Sequence, residues 1–340
     1  MKIAYLLADT ELAGGIRVAV AHGDALTDRG HEVLLVTRGG PLTWRTSRAK
    51  WLHVPTFDDF DPTGFDFVVG TFWLTIEQTL RIAGEKAVHF CQGYEGSFTG
   101  YRDLKEQIDA AYRLPIPKIT VSPHLVPICR RFHDDATYVG QIVDAGFYQP
   151  HRPRGGLPRV LLVGPAQADF KGIDIGYEAV RRARELGAHF DLIRVSQWLP
   201  ADDEPSELAR EFHVALASTE MAQLIASADI FLGPSRGQEG FGLPAAEAMA
   251  GGVPTILSEI PSFLSWDDHH DYALFTPEGD GPAMGEQLVR LLGDTALREQ
   301  LATRGREVVE QFRAEKTGER LERWFASRLN SSEPRSGEIM

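Results

Sequence analysis

The chain has 340 residues, 43% of them apolar and 24% charged, with a formal net charge of −13. That length is too great for one ordinary hydrophobic core and suits two domains of common size. The composition is that of a soluble globular protein, and the negative charge argues against nucleic acid as the main partner, because phosphate-backbone binding is driven by clustered Lys and Arg.

The first predicted element is KIAYLLA, a short apolar run with the look of a buried parallel strand. A loop, TELAGG, and a helical stretch, IRVAVAHGDALTDRG, follow, the helix stopping at Gly30. HEVLLVT is the next strand, so the chain opens β–loop–α–β. Further strand candidates are FDFVVGTF (65–72), KAVHFC (86–91) and KITVS (118–122), with helical patterns between them, notably around 101–113 and 123–133. The segment YQPHRPRGGLPR (148–159) is rich in Pro, Gly and Arg and reads as an interdomain linker.

The alternation restarts beyond it. RVLLVG is a strand, DIGYEAVRRARELG an amphipathic helix, and FDLIRVS, DIFLGPS and PTILS are further strands. From about 282 to 329 the sequence is helical by periodicity, with interruptions expected near Gly293, Gly305 and Ala314; the polar end, NSSEPRSGEIM, is expected to be a disordered tail. The pattern predicts an α/β protein of two doubly wound, Rossmann-like domains, residues 1–150 and 151–313. The helix at about 314–329 is expected to pack back on the first domain, leaving 330–340 as the tail. Ligands of such sheets bind beyond the carboxyl ends of the strands, which makes the central cleft the expected site.

Three loops that follow strands carry chemistry. Gly14-Gly15 precede a helix whose free N–H groups suit a phosphate, although such a pair is as often structural. Lys171-Gly172 precede another helix, where a lysine meets a diphosphate as a point charge or is simply solvated. The third loop, GPSRGQEGFGLPAAEAMAGGVP (233–254), holds Glu239 and Glu247 on either side of a glycine turn, with Pro244 suited to the first helical position. Carboxylates accept hydrogen bonds from vicinal hydroxyls, so two of them flanking an anion site suit a ligand with a sugar at each end of a diphosphate. The alternative makes Glu247 a salt-bridged helix residue and Glu239 a turn residue; an idle Glu247 in a buried Ala-rich helix would be costly.

The run EGFGLPAAEAMAGGVP resembles the glutamate–seven residues–glutamate signature of the family 4 glycosyltransferases, which retain anomeric configuration and have the GT-B fold. The early AGGI and the later VGP…FKGID fall where that family has its other donor-binding loops, so the resemblance covers nearly the whole chain. It implies that Glu247 holds the ribose hydroxyls of a nucleotide-sugar and Glu239 those of the transferred sugar. Lys171 and the backbone of Gly14 and Gly15 would meet the diphosphate, with Gly240, Phe241, Gly242 and Leu243 beside it. EFHVAL (211–216) sits where the family meets the base, mostly through backbone.

Two departures stand out. Pro165 occupies the place of an arginine that gives the family a second cation; Arg236 and Arg17 are the candidate replacements. Gln92-Gly93, followed by Tyr94 and Glu95, stands where many members have a histidine near the sugar. Gln92 therefore joins Glu239 and Lys171 as a candidate catalytic residue, and the Gln-x-Tyr-Glu segment is similar to some rhamnosyltransferase-like members. His89, on the strand itself, is read as core packing.

The expected function is transfer of a sugar to a glycan, lipid-linked or small-molecule acceptor, with no cofactor and no metal. Alternatives are a phosphorylase or epimerase on the same fold, or a sugar-nucleotide-binding subunit without catalysis. His269-His270 beside Asp267-Asp268 is read as a charged turn, since adjacent residues splay apart. Residues 1–150 carry 15 Lys and Arg against 18 Asp and Glu, the remainder 20 against 30, so the first half meets an anionic or membrane-bound acceptor more easily. Its basic-aromatic stretch, Trp44, Arg45, Arg48, Lys50 and Trp51, is the candidate for a peripheral membrane contact, with a solvated loop as the commoner outcome. Cys91 and Cys129 form no metal spacing or disulfide framework, and no signal peptide or run of about 18 apolar residues is evident. The expected location is the cytoplasm, including the inner face of a membrane.

Overall fold

A computed structural model describes residues 1–10, 14–40, 42–152 and 155–332. Residues 11–13 of the first loop, 153–154 of the linker and 333–340 of the tail lie outside the described residues. The first half contains β1 (Lys2–Leu7), α1 (Gly14–Asp28), β2 (Glu32–Thr37), β3 (Lys50–His53), β4 (Phe67–Gly70) and α2 (Trp73–Ala83). It continues with β5 (Ala87–Cys91), α3 (Lys105–Arg113), β6 (Lys118–Thr120), α4 (Leu125–Arg130) and β7 (Ala136–Tyr138). The second half begins with β8 (Arg159–Val163), α5 (Ile173–Glu185), β9 (Asp191–Ser196), β10 (Glu211–Val214), α6 (Ser218–Ala226) and β11 (Ile230–Gly233). Then come α7 (Leu243–Ala250), β12 (Thr255–Ser258), α8 (Pro261–Leu264), β13 (Leu274–Thr276), α9 (Gly281–Gly293), α10 (Thr295–Val309) and α11 (Ala314–Ser332).

The strands form two parallel sheets, ordered β3-β2-β1-β4-β5-β6-β7 and β10-β9-β8-β11-β12-β13. The central strands are apolar throughout because helices cover both faces: every residue from Ile3 to Leu7 is buried, as is every residue from Ile230 to Gly233. Strand order reverses between β1 and β4 in one sheet and between β8 and β11 in the other, so each sheet opens a crevice beyond the carboxyl ends of those strands.

Helix α11 returns to the first sheet. Phe325 packs on Phe67 of β4 with ring centroids 4.9 Å apart, Arg328 pairs with Asp135, and Thr317 donates to the Gln141 carbonyl at 2.8 Å. No helix among the described residues is long and apolar enough to cross a membrane.

Several local expectations change. Lys50 and Trp51 belong to an edge strand, not a loop, and β3 is largely exposed, which explains its lack of an apolar run. The cations of that stretch have partners within the chain, Arg45 on Asp24 (2.8 Å), Arg48 on Asp28 (2.6 Å) and Lys50 on Glu32 (3.5 Å), and Arg48 and Lys50 remain exposed. The indole N–H of Trp44 donates to the Thr10 carbonyl. Helix α10 runs through Gly305 without interruption, and the missing side chain lets the helix lie against Met249 of α7. Pro244 is the second residue of α7, still inside the turn where no N–H is needed.

Candidate active site

At the end of β8 the chain folds back through a short turn, and Gly172 caps α5 in the left-handed region (φ 60°). A Cβ on Gly172 would overlap the Pro234 carbonyl oxygen, so only glycine lets this loop touch the one that follows β11. The contact brings Lys171 against Glu239: Nζ lies 2.7 Å from Oε2, and the Ser235 hydroxyl donates to the same oxygen at 3.0 Å. Glu239 is buried, and the lysine ammonium lies 5.0 Å above the Phe170 ring. The pair lines a small, partly open pocket with Gly233, Gly242, Ala245 and Phe263.

Helix α7 starts immediately beyond, capped by Gly242 at φ 86°. Its alanines bury it, and Glu247, one turn in, is 1% exposed. The partner of Glu247 comes from the other half of the chain: Arg17 Nη2, from the first turn of α1, lies 2.6 Å from Oε1. Arg17 is also 3.5 Å from Asp144, which Arg45 holds from the opposite side at 3.4 Å. Burial raises the Glu247 pKa while the Arg17 charge opposes the rise. The two signature carboxylates thus each hold one cation, Glu239 from its own sheet and Glu247 from across the cleft.

The first sheet supplies the facing wall. Gln92, after β5, stands beside Gly15, where a Cβ would lie 3.3 Å from Gln92 Oε1. Its Nε2 donates to the Thr71 carbonyl at 3.1 Å, whereas Oε1 is buried with no partner among the described residues. A Cβ on Gly240 would overlap the Gln92 carbonyl oxygen, so backbone meets backbone between the sheets. Nearby, Phe98 stacks on Phe170 at 5.0 Å, and Thr99 donates to Asp169 at 3.1 Å. Gly240→Ala should therefore lower turnover about a hundredfold by pushing the facing loops apart, with the fold retained. Steady-state kinetics beside a melting curve check this, and full activity would contradict the close approach.

Sequence-predicted residues divide accordingly. Glu239, Lys171, Gly240, Phe241, Gly242, Leu243 and Glu247 cluster at the second switch point, with Gly15 and Gln92 opposite. Gly14 opens onto free space, with nothing within 4 Å of a built Cβ. Arg236 is diverted: Nη2 lies 2.6 Å from Asp174, and Nη1 donates to the Asp169 carbonyl. Two carboxylates at the start of α5 outcompete the cleft for it. Of the two candidate replacement cations, only Arg17 faces a signature glutamate.

Other expectations and omissions are visible too. His89 is a core residue, edge-on to Tyr112 at 4.6 Å, with its pKa lowered by burial to about 3. Asp267 accepts from the His269 N–H at 3.0 Å and pairs with Arg304, so that segment is a charged turn. Among the described residues no three His, Cys, Asp or Glu side chains converge to hold a metal ion. His124, after β6, went unnoticed in the sequence. Burial lowers its pKa to about 4, the charge of Glu239 opposing, and Ser122 links it at 2.8 Å to Nδ1 while meeting Ser265 across the cleft at 3.0 Å. Trp198 and Leu199, exposed after β9, also carried no sequence signal.

Residues 157–294 match the family described as "Glycosyl transferases group 1". The chain is 34% identical over 91 residues to phosphatidyl-myo-inositol mannosyltransferase of Mycobacterium leprae, 27% of this chain and 24% of that protein. It is 38% identical over 97 residues to N-acetyl-alpha-D-glucosaminyl L-malate synthase of Bacillus anthracis, 28% of this chain and 25% of that one. The matches thus span about a quarter of the length of these relatives. Among solved structures, Anabaena HepE in complex with UDP-glucose superposes with a TM-score of 0.79 at 15% identity, covering 97% of this chain and all of that one. Sucrose-phosphate synthase of Thermosynechococcus elongatus gives 0.77 at 19%, again over 97% and 100%. Residues 157–294, which hold Lys171, Glu239 and Glu247, thus resemble a group 1 glycosyl transferase region, and the chain as a whole shares the two-domain α/β fold, GT-B, of these solved structures.

Proposed function

We propose that the chain is a retaining glycosyltransferase that moves a sugar from a nucleoside diphosphate sugar to an acceptor hydroxyl. The first domain, 1–150, takes the acceptor and the second, 151–313, the donor. The observation that carries this reading is the half-buried Lys171 paired with the buried Glu239, 2.7 Å apart, at the mouth of α7 and the switch point of the second sheet. Lys171 meets the diphosphate as a point charge, and the start of α7 adds N–H groups without helical partners. Glu239 then turns to hydroxyls of the moving sugar, Glu247 to those of the ribose, and Gln92 Oε1 accepts from a hydroxyl in the cleft. The UDP-glucose in the HepE structure and the sugar-transfer names of the curated relatives support the same reading.

In this scheme the bond between the anomeric carbon and the leaving phosphate oxygen breaks first. Lys171 and the α7 dipole stabilise the charge that collects on the diphosphate. The acceptor hydroxyl enters on the same face, its oxygen bonds to the anomeric carbon, and its proton passes to the departing phosphate oxygen. Configuration is kept, and no side chain is covalently attached to the sugar. Fixed protein charge does the work of a divalent ion, so the scheme is metal-independent.

A thermal-shift panel of UDP-, GDP-, ADP- and dTDP-sugars tests the reading. A true donor at a hundred times its Kd stabilises the folded chain by about 2.7 kcal/mol. No response to any of the four would overturn the proposal, and binding with neither hydrolysis nor transfer would make the chain a binding subunit. Glu247→Ala should weaken binding of the matching nucleoside diphosphate about tenfold through its lost ribose contacts. An unchanged Kd would remove Glu247 from that role.

A further inference from the structure

We infer that Arg17 is a switching cation: it rests on Glu247 while the cleft is empty and moves to the donor's diphosphate when ribose hydroxyls take over Glu247. This rests on the donor reading above and assigns a part that reading leaves unfilled. A diphosphate brings about two negative charges into a crevice that already holds the carboxylates of Glu239 and Glu247. Among the described residues on the second-domain side, Lys171 is the cation at that crevice, since Pro165 carries no charge and Arg236 is committed to Asp169 and Asp174 outside it. One ammonium among two carboxylates and a dianion leaves excess negative charge in a poorly solvated place.

Arg17 meets that need from the first domain. It stands in the first turn of α1, just beyond Gly15, and spans the cleft to Glu247 at 2.6 Å. Its guanidinium is mostly shielded from solvent, and its Nε is buried with no hydrogen-bond partner among the described residues. An arginine offers paired donors in a planar fork, which matches two phosphate oxygens as well as one carboxylate. The exchange leaves each group with hydrogen-bond partners: Glu247 passes from a guanidinium to two neutral hydroxyl donors, and the Arg17 charge moves from a carboxylate to the phosphates. Asp144, at 3.5 Å, anchors the arm in its resting position. Because Arg17 and Glu247 lie in different domains, the swap ties donor loading to the way the cleft is held closed.

Calorimetric titration separates this from a purely structural tie. The probes are UDP, GDP, ADP and dTDP, the nucleoside of whichever one binds, and inorganic pyrophosphate. Arg17→Gln should weaken the nucleoside diphosphate and pyrophosphate at least about tenfold and reduce the salt dependence of binding. The nucleoside should bind as well as before or better, because Glu247 is no longer occupied, and Arg17→Lys should recover part of the loss. If Arg17→Gln binds the diphosphate normally while Lys171→Ala does not, Arg17 is only an interdomain tie and the donor reading stands without it. If the wild-type chain binds none of the four, the donor reading falls and takes this inference with it. Should Arg17→Gln fail to fold through its unpaired buried glutamate, Arg17→Gln with Glu247→Gln removes both charges. Weaker diphosphate binding than Glu247→Gln alone then supports the switch, and equal binding overturns it.

Discussion

Lys171→Ala and Glu239→Ala should each reduce sugar transfer, and donor hydrolysis without acceptor, by about 10²–10³-fold with the fold intact. In the proposed scheme Lys171 is the cation nearest the developing phosphate charge, and the turn that ends in Gly172 and the Glu239 carboxylate hold it in place. Its fixed charge is preorganised for the transition state in a way that mobile water is not, so its removal falls on the transition state more than on the ground state. Glu239 acts on the same pair from the other end: without it Lys171 loses its anchor and the moving sugar loses an acceptor for its hydroxyls. The two losses should therefore be strongly non-additive, the double variant resembling either single one. Product release measured with the donor found in the thermal-shift panel, beside circular dichroism of each variant, checks this. Near-normal turnover in either single variant would remove the pair from the chemistry.

The second large effect is on stability in acid. His22 and His89 are fully buried in the first domain, His22 against Phe90 at 4.7 Å and His89 against Tyr112, and burial lowers both pKa values to about 3. Each is neutral in the folded chain at any pH near 7, whereas the unfolded chain takes up a proton below about 6.5. A depressed folded pKa contributes stability that is present above the unfolded pKa and is lost as pH falls beneath it. Each histidine should therefore subtract up to about 1.4 kcal/mol per pH unit below 6.5. Glu95 works the other way: burial raises its pKa to about 6, against the Tyr112 hydroxyl bond, so protonation between pH 6 and 4.5 favours the folded state. His124, whose pKa burial lowers to about 4, adds to the same loss, so the histidines outweigh the one glutamate and the net slope remains destabilising. Urea unfolding at pH 7.5, 6 and 5 measures it, and His89→Phe, which keeps an aromatic ring against Tyr112, should remove roughly a third of the contribution that His22, His89 and His124 make together. A stability that does not change between pH 7.5 and 5 would contradict the assignment.

Much of the fold is legible because buried parallel strands are written as uninterrupted apolar runs. KIAYLLA, HEVLLVT, RVLLVG and DIFLGPS all lie at or beside the switch points, where both faces are covered. The edge strands β3 and β7 escaped for the same reason reversed: a strand with solvent on one side has no need of such a run. Gly305 misled because a glycine in a helix reads as a stop, whereas here it is a place of close packing on α7. The glycine turn between Glu239 and Glu247 was readable, since local chemistry alone demands small residues where backbone approaches backbone or a helix begins.

By itself, then, the sequence determined the two α/β units, the loops that carry charge and the pair of glutamates, all features encoded by residues close together in the chain. Only the tertiary structure decided which cation each glutamate holds. Lys171 reaches Glu239 across 68 positions and Arg17 reaches Glu247 across 230, while Arg236, only three residues from Glu239, turns away to Asp174. An ion pair is chosen by distance and burial in space, and a guanidinium goes to the carboxylates that the folded backbone places within its reach.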